Sequence, residues 1–496
     1  MYAFKLGTTM QKLSAKLFNR LTTGGEIFKF PKKCFGQPAA KTHPHLIQAG
    51  EVTPGLTKTE YQQRRYNLMQ KIIEKESGTH LDSHIVIIPA AAKTYMTQDI
   101  PYPFRQNTEF FYLCGFLEPD SLLILEGKPG SLPDHRATLF VPKKDPQKEL
   151  WDGPRSGIDG AVEITGVDSA HNVEDLGIYL SHYIRDNKNF MTWYDYSRPA
   201  HSTYHGREIT QFLRDNNYQY IKNPRPLIHS LRVIKSAAEC QLMQKTCSIA
   251  SQAFIDVMKS SHPGVNEAHL YAKMDYECRI KGAEFLAYPP VVAGGNRANT
   301  IHYINNNQII LGGEMVLMDA GCECHGYASD ITRTWPVSGK FTDPQIELYE
   351  ALLEVQEQCF LICGQTDVSM EDIFLEMLAL LGTQLKRLKV INSDVSGINI
   401  QKKTRQFCPH HVSHHLGMDV HDTDEIPRSV KLVPGMCLTI EPGIYIPANC
   451  PDVPKEFHGI GIRIEDDVLI SNNGPVNLTA ECPKHPSDIE CVMKRN

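Results

Sequence analysis

The chain has 496 residues, 41% hydrophobic and 22% charged, with a formal net charge of −6. It is long enough for two or three domains, and its acidity argues against nucleic acid or an anionic membrane surface as its main partner. No apolar run approaches the roughly 18 residues that cross a bilayer, so membrane insertion is not expected.

The first forty residues depart from this balance. Lys5, Lys12, Lys16, Arg20, Lys29, Lys32 and Lys33 face a single acid, Glu26, and Leu13, Leu17, Phe18 and Leu21 recur at helical spacing among them. An acid-poor, basic, amphipathic start reads as a mitochondrial presequence over residues 1–40. Without those residues the net charge moves from −6 to −12. The 14 cysteines form no regular framework and read as reduced thiols, many of them buried.

Residues 41–57, "KTHPHLIQAGEVTPGLT", are expected to be an extended linker. A helix follows from Thr59 to about Glu76. The short runs "IVIIPA", "FFYLCGF", "SLLILEG" and "ATLFVP" then read as strands alternating with helices, which predicts an α/β domain over 58–224. A second domain is expected over 225–496. Ser236, with Glu239 three residues on, caps a long helix there, and one helical block is expected from Asp343 to about Leu388.

Within "EMVLMDAGCECHGYASDITRTW", Asp319 ends one apolar strand and Asp330 opens the next. If the chain turns at Cys324–His325–Gly326, the two aspartates pair directly across a hairpin. Two carboxylates that close repel unless a proton or cation lies between them. Cys322, Cys324 and His325 would then sit at an exposed tip, so a CxCH zinc site is the weaker reading.

More acids lie on apolar strands. "MCLTIEPGIYI" places Glu441 before a Pro-Gly turn, and "GIGIRIEDDVLI" places Arg463 and Glu465 on one face. Arg463 could neutralise one of these acids but not four. "CPHHVSHHLGMDVHD" adds His410, His411, His414, His415 and His421. Four carboxylates and at least one imidazole suit two divalent cations, Mn²⁺ above the alternatives. Such a pair would lower the pKa of a water held between the ions and make it a nucleophile.

The motifs "LAYPPVVAGGNRANTIHY", "MDAG…SDITRTWP", "SHHLGMDVHD", "IEPGIYIP" and "GIRIEDD" span Leu286 to Asp467 in that order. They resemble the metallopeptidases of the pita-bread fold, and among these aminopeptidase P, in particular its mitochondrial branch. "ELWDGPRSG" and the α/β domain extend the resemblance over nearly all the chain beyond the presequence. The resemblance implies an α/β N-terminal domain followed by an α+β pita-bread catalytic domain. It implies that Asp319 binds one metal, that His414 and Glu441 bind the other, and that Asp330 and Glu465 bridge the two. His302 would contact the scissile peptide, His421 the substrate beside its proline, and Tyr288 the substrate. Arg463 would hold the bridging acid and a neighbouring carboxylate in place, and His410 would line the pocket. Glu441 would also shuttle a proton. His411 departs from the small residue that many relatives carry there.

The implied reaction is removal of an N-terminal residue followed by proline, from peptide substrates, by a homodimer with Trp151 or Arg155 near the partner's site. The alternatives are a prolidase restricted to Xaa-Pro dipeptides and a non-catalytic protein-binding module on the same fold. The implied location is mitochondrial, with a cytoplasmic form as an alternative.

Overall fold

The computed structural model describes residues 35–76, 81, 83–127, 133–197, 203–217 and 219–494. Most of the expected presequence, residues 1–34, lies outside them. Residues 35–40 do not: Phe35 is buried, Gln37 Nε2 donates to Gly115 O at 3.2 Å, and Gln37 Oε1 accepts from Leu117 N at 2.7 Å. The expected linker is corrected as well. Residues 51–57 form a small antiparallel ladder, Glu51–Thr53 with Leu56–Thr57, and Ile47, Val52 and Leu56 are buried. These apolar side chains gain more from burial than an extended linker could offer.

The N-terminal half is built on a six-stranded mixed sheet. Its spatial order is Ser169–Asn172, His135–Val141, Leu122–Gly127, Ser83–Pro89, Phe190–Trp193 and Ile221–Lys222. Alternation along the central strands covers both faces. Val86, Ile88, Leu123 and Leu125 meet Leu68, Met69 and Ile72 of the helix Lys58–Glu76. Ile85, Ile87, Leu122 and Ile124 meet Leu176, Leu180, Phe212 and Leu213 on the opposite face.

"FFYLCGF", expected as a strand, lies mostly in the helix Thr108–Cys114. Asn107 caps its start by accepting from Phe110 N, and Gly115 ends it at φ 65°. The segment is apolar all round, so periodicity could not separate buried helix from buried strand. The helical block from Asp343 is two helices, Asp343–Ile362 and Met370–Arg387, the second opened by a Ser369–Asp372 capping box. The capped helix after Ser236 runs Ala237–Ser260.

In the C-terminal half, long helices pack around short antiparallel strands. Val291–Gly294, Met315–Ala320 and Ile331–Pro336 form one three-stranded sheet, and Cys437–Ile440, Asp466–Ser471 and Gly474–Asn477 form another. The pair Gly443–Ile446 and Ile460–Arg463 lies in sequence between the first two strands of the second sheet.

The hairpin register differs from expectation. Asp319 pairs with Thr332, not with Asp330, and Glu323 pairs with Ala328. The turn is the two-residue step His325–Gly326, both at positive φ, and this moves the centre of the hairpin by one residue. Asp330 is therefore the diagonal neighbour of Asp319 on the same face. The tip is also not exposed: Cys322, Cys324 and His325 are all buried.

The ladder breaks at Gly321, where a Cβ would overlap the Ser329 carbonyl oxygen. The approach lies two residues after Asp319 and directly before Asp330. Gly321→Ala is expected to cost about 3 kcal/mol or more of stability and to weaken divalent-metal binding in parallel. Thermal unfolding and metal titration with near-wild-type values would show that the hairpin tolerates the side chain.

Candidate metal centre

Strand ends deliver four carboxylates to one place, and a loop adds His414. Asp319 comes from the strand Met315–Ala320, and Asp330 directly precedes Ile331–Pro336. Glu441 follows Cys437–Ile440, and Glu465 lies between Ile460–Arg463 and Asp466–Ser471. His414 is held by its backbone, which accepts from Thr439 N at 3.0 Å and donates to Thr439 Oγ1 at 3.2 Å. Donor atoms of Asp330, His414 and Glu465 lie within 4.8 Å of one another. His414 Nε2 is 3.4 Å from Asp330 Oδ2 and 3.6 Å from Glu441 Oε1.

The Tyr288 hydroxyl lies between the two aspartates, 2.6 Å from Asp319 Oδ1 and within bonding distance of Asp330 Oδ1. It has one proton to give, so it cannot satisfy both oxygens. The countercharge comes from Arg463, whose Nη2 is 2.5 Å from Asp319 Oδ2. Its Nε donates to Thr332 Oγ1 at 3.0 Å and its Nη1 to Tyr445 OH at 2.8 Å. Thr332 Oγ1 donates in turn to Glu465 Oε2 at 2.6 Å. The phenol of Tyr445 reaches His410 Nε2 at 2.9 Å, while His410 Nδ1 lies 2.9 Å from His411 O. Behind Asp330, Asp467 Oδ2 accepts from Asp330 N at 3.0 Å and from Cys247 Sγ at 3.2 Å.

Crowding governs the protonation of these groups. Burial pushes the Glu441 carboxyl up to about 7, and Asp330 and Asp319 add to the shift against His414 and Arg463. Glu465 is pushed up by burial, then by Asp330, Glu441 and Asp319. Burial alone would lower His414, but Asp330 and Glu441 bring it up to about 9. His410 goes the other way, down to about 4, through burial and the Arg463 charge. Four carboxylates against one guanidinium and one imidazole leave an excess of negative charge in a low-dielectric pocket. The donor set thus fits hard divalent cations.

The other expected residues are placed less uniformly. His421 is exposed and stands edge-on to His414, with ring centroids 4.4 Å apart. His302 is exposed nearby; partial desolvation of the ring, then the His414 and His302 charges, lower His421 to about 4. Tyr288 points its hydroxyl at the carboxylates, whereas the expectation gave it to the substrate. His411 stacks on Phe374 at 4.5 Å, which accommodates the larger side chain. Thr332, Tyr445 and Asp467 were missed. Thr332 shares the face of Asp330 and Tyr445 that of Glu441, so strand alternation was the available signal.

A second donor group, Glu284, Cys324 and His325, also lies within 4.8 Å. Both ring nitrogens of His325 are occupied there, by Glu284 Oε1 at 2.8 Å and Lys245 Nζ at 2.9 Å. The trio therefore acts as a staple at the hairpin tip.

Residues 241–472 match the model of metallopeptidase family M24, and residues 61–193 match that of the aminopeptidase P N-terminal domain. Human Xaa-Pro aminopeptidase 3 is 50% identical over 471 residues, covering 94% of this chain and 92% of that protein. Mitochondrial intermediate cleaving peptidase 55 of Arabidopsis thaliana is 37% identical, over 93% of this chain and 88% of its own length. Among solved structures, zinc-substituted E. coli aminopeptidase P in complex with product superposes with a TM-score of 0.80. It is 33% identical, covering 88% of this chain and 98% of that one.

Without metal, Glu441 binds its proton more tightly folded than unfolded, since its pKa rises from 4.5 to about 7. Between those values the folded state carries the extra proton, so the contribution of Glu441 to stability falls as pH rises. Chelator-treated wild type should lose melting temperature relative to Glu441→Gln from about pH 5 to about pH 7.5, and added Mn²⁺ should raise it most at the upper end. A pH-independent difference between the two proteins would refute this coupling.

Proposed function

Because the chain belongs to metallopeptidase family M24, in its Xaa-Pro aminopeptidase branch, we propose that it removes the N-terminal residue from peptides whose second residue is proline. The observation that carries this reading is the convergence of Asp319, Asp330, His414, Glu441 and Glu465 around one acid-rich pocket. Asp319 would hold one divalent ion, His414 and Glu441 a second, and Asp330 and Glu465 both. Two such ions, Mn²⁺ on the chemistry of the donors, supply Lewis acidity and a water of lowered pKa.

The chain's own groups do the rest. An Xaa-Pro bond is a tertiary amide without an N–H, which general peptidases handle poorly. His421, held edge-on to His414, contacts the substrate beside the proline ring. His302 stabilises negative charge on the scissile carbonyl oxygen, an effect worth several kcal/mol in comparable sites. Glu441 takes the proton of the attacking water and delivers it to the leaving proline nitrogen. Arg463, fixed by Thr332 and Tyr445, holds the Asp319 carboxylate in its orientation.

The reading extends to place and assembly. The basic start and the likeness to a mitochondrial peptidase support a mitochondrial location, with any presequence removed before Phe35. Trp151 and Leu150, 84% and 82% exposed on the helix Pro146–Asp152, support a homodimer through the N-terminal domain.

The test offers purified protein with Mn²⁺ an Xaa-Pro-Yaa tripeptide, an Xaa-Pro dipeptide and a Met-Ala-Ser peptide, read by mass spectrometry. Chelator-sensitive release from the tripeptide is expected. Cleavage of the dipeptide alone would make the protein a prolidase, and silence on all three would favour a binding module. Glu441→Gln should lower turnover by about 10³-fold or more with the fold intact. Near-normal turnover in that variant would remove Glu441 from the mechanism.

A further inference from the structure

Among the described residues the His421 ring has no hydrogen-bond partner and only stands edge-on to His414, so its place in the site depends on the backbone of the loop 417–425. That backbone is clamped from outside the catalytic strands. Asp422, next to His421, is buried, with a side chain 1% exposed. One of its carboxylate oxygens accepts from Arg232 Nη2 and the other from Lys235 Nζ at 3.1 Å. Its own N–H donates to His415 O at 2.9 Å. Asp419, two residues before His421, accepts from Arg232 Nη2 at 2.8 Å, Arg105 Nη2 at 3.0 Å and Thr108 Oγ1 at 2.8 Å. Asp424, three residues after it, accepts from Arg225 Nη2 at 2.5 Å. Gly417 leaves the space that the Asp422 carboxylate fills, because a Cβ there would collide with it.

The cations come from the helix Arg225–Arg232 and the residues just after it. Arg232 is itself oriented by the N-terminal domain, since its Nη1 donates to Glu109 Oε1 at 3.2 Å in the helix Thr108–Cys114. Burying a carboxylate with a guanidinium and an ammonium adds little net stability over a well-packed apolar cluster, because desolvation offsets the attraction. It does set one geometry, since each carboxylate oxygen is held by a different cation and charge-assisted bonds tolerate little displacement.

We propose that Arg232 and Lys235 are positioning residues for substrate recognition. Acting through Asp422, they fix the angle of His421 over the site, so the N-terminal half helps to decide how the proline-containing peptide is held. This rests on the Xaa-Pro reading of His421. It predicts that loosening the clamp weakens substrate binding while leaving metal binding and the chemical step largely intact.

The experiment is a double-mutant cycle on the full chain loaded with Mn²⁺, using Asp422→Asn and His421→Ala with an Xaa-Pro-Yaa tripeptide. Asp422→Asn alone should raise KM about tenfold, with kcat within about threefold and the metal content unchanged. In the His421→Ala background the same substitution should have almost no further effect, because its route is gone. Lys235→Gln, which removes one of the two grips, should reproduce a smaller part of the KM change if Asp422→Asn fails to fold, and Lys235→Arg should recover most of it. Additive effects of Asp422→Asn and His421→Ala would overturn the positioning role while leaving the function of His421 in place. A His421→Ala variant with wild-type KM would defeat both, by removing His421 from recognition. Loss of bound metal in Asp422→Asn would also overturn it, by making Asp422 part of the metal centre instead.

Discussion

Four carboxylates confined in a mostly apolar enclosure are the constraint from which the rest of this protein follows. In isolation each would prefer water, and together they repel. The chain answers with a guanidinium, an imidazole and a phenol, and these do not neutralise the group. Arg463 shows how much support one such answer needs: Thr332, Tyr445 and Asp319 each hold one of its nitrogens. The strands exist in the arrangement they do because each brings one acid to this pocket while its neighbours on the other face pack into the core.

Much of this was legible in the chain. Period-two alternation separated the acids from the isoleucines on the strands around Glu465, and the Ser236–Glu239 capping box marked the start of a long helix. The reading failed where the signal was local but ambiguous. "FFYLCGF" carries strand-like residues, yet Asn107 and Gly115 at its ends make a helix of most of it. The hairpin was recognised but its register was displaced, because the positive φ at both His325 and Gly326 is a property of the turn and not of the strands. The clamp on residues 417–425 could not be read at all. Its partners lie nearly two hundred residues apart, and buried pairs such as Arg232 with Asp422 leave no periodic trace.

The two halves of the molecule are consequently less separate than their matched families imply. The core that covers one face of the N-terminal sheet continues into Leu242, Met243, Tyr327, Leu416 and Cys437 from the catalytic half. The N-terminal domain therefore forms one wall of the structure that holds the active loop, and its acids and cations are matched to that loop in number and position. Glu109 serves Arg232 and His229 at once, and Arg105 joins Glu323 to Asp419.

The hairpin that bears Asp319 and Asp330 ends at the seam between the two halves, gripped from both sides. A side chain at Gly326 would strike Phe111, Tyr327 donates to Glu239 and sits beside Arg64, and Lys245 and Glu284 grip His325 between them. Its far end cannot reach its final place until the 108–114 helix is docked against it. Alignment of the acids therefore draws on contacts between segments far apart in sequence, the kind of contact that slows folding. The catalytic half, synthesised alone, would leave uncovered the side of the hairpin tip that Phe111 and Arg64 now cover.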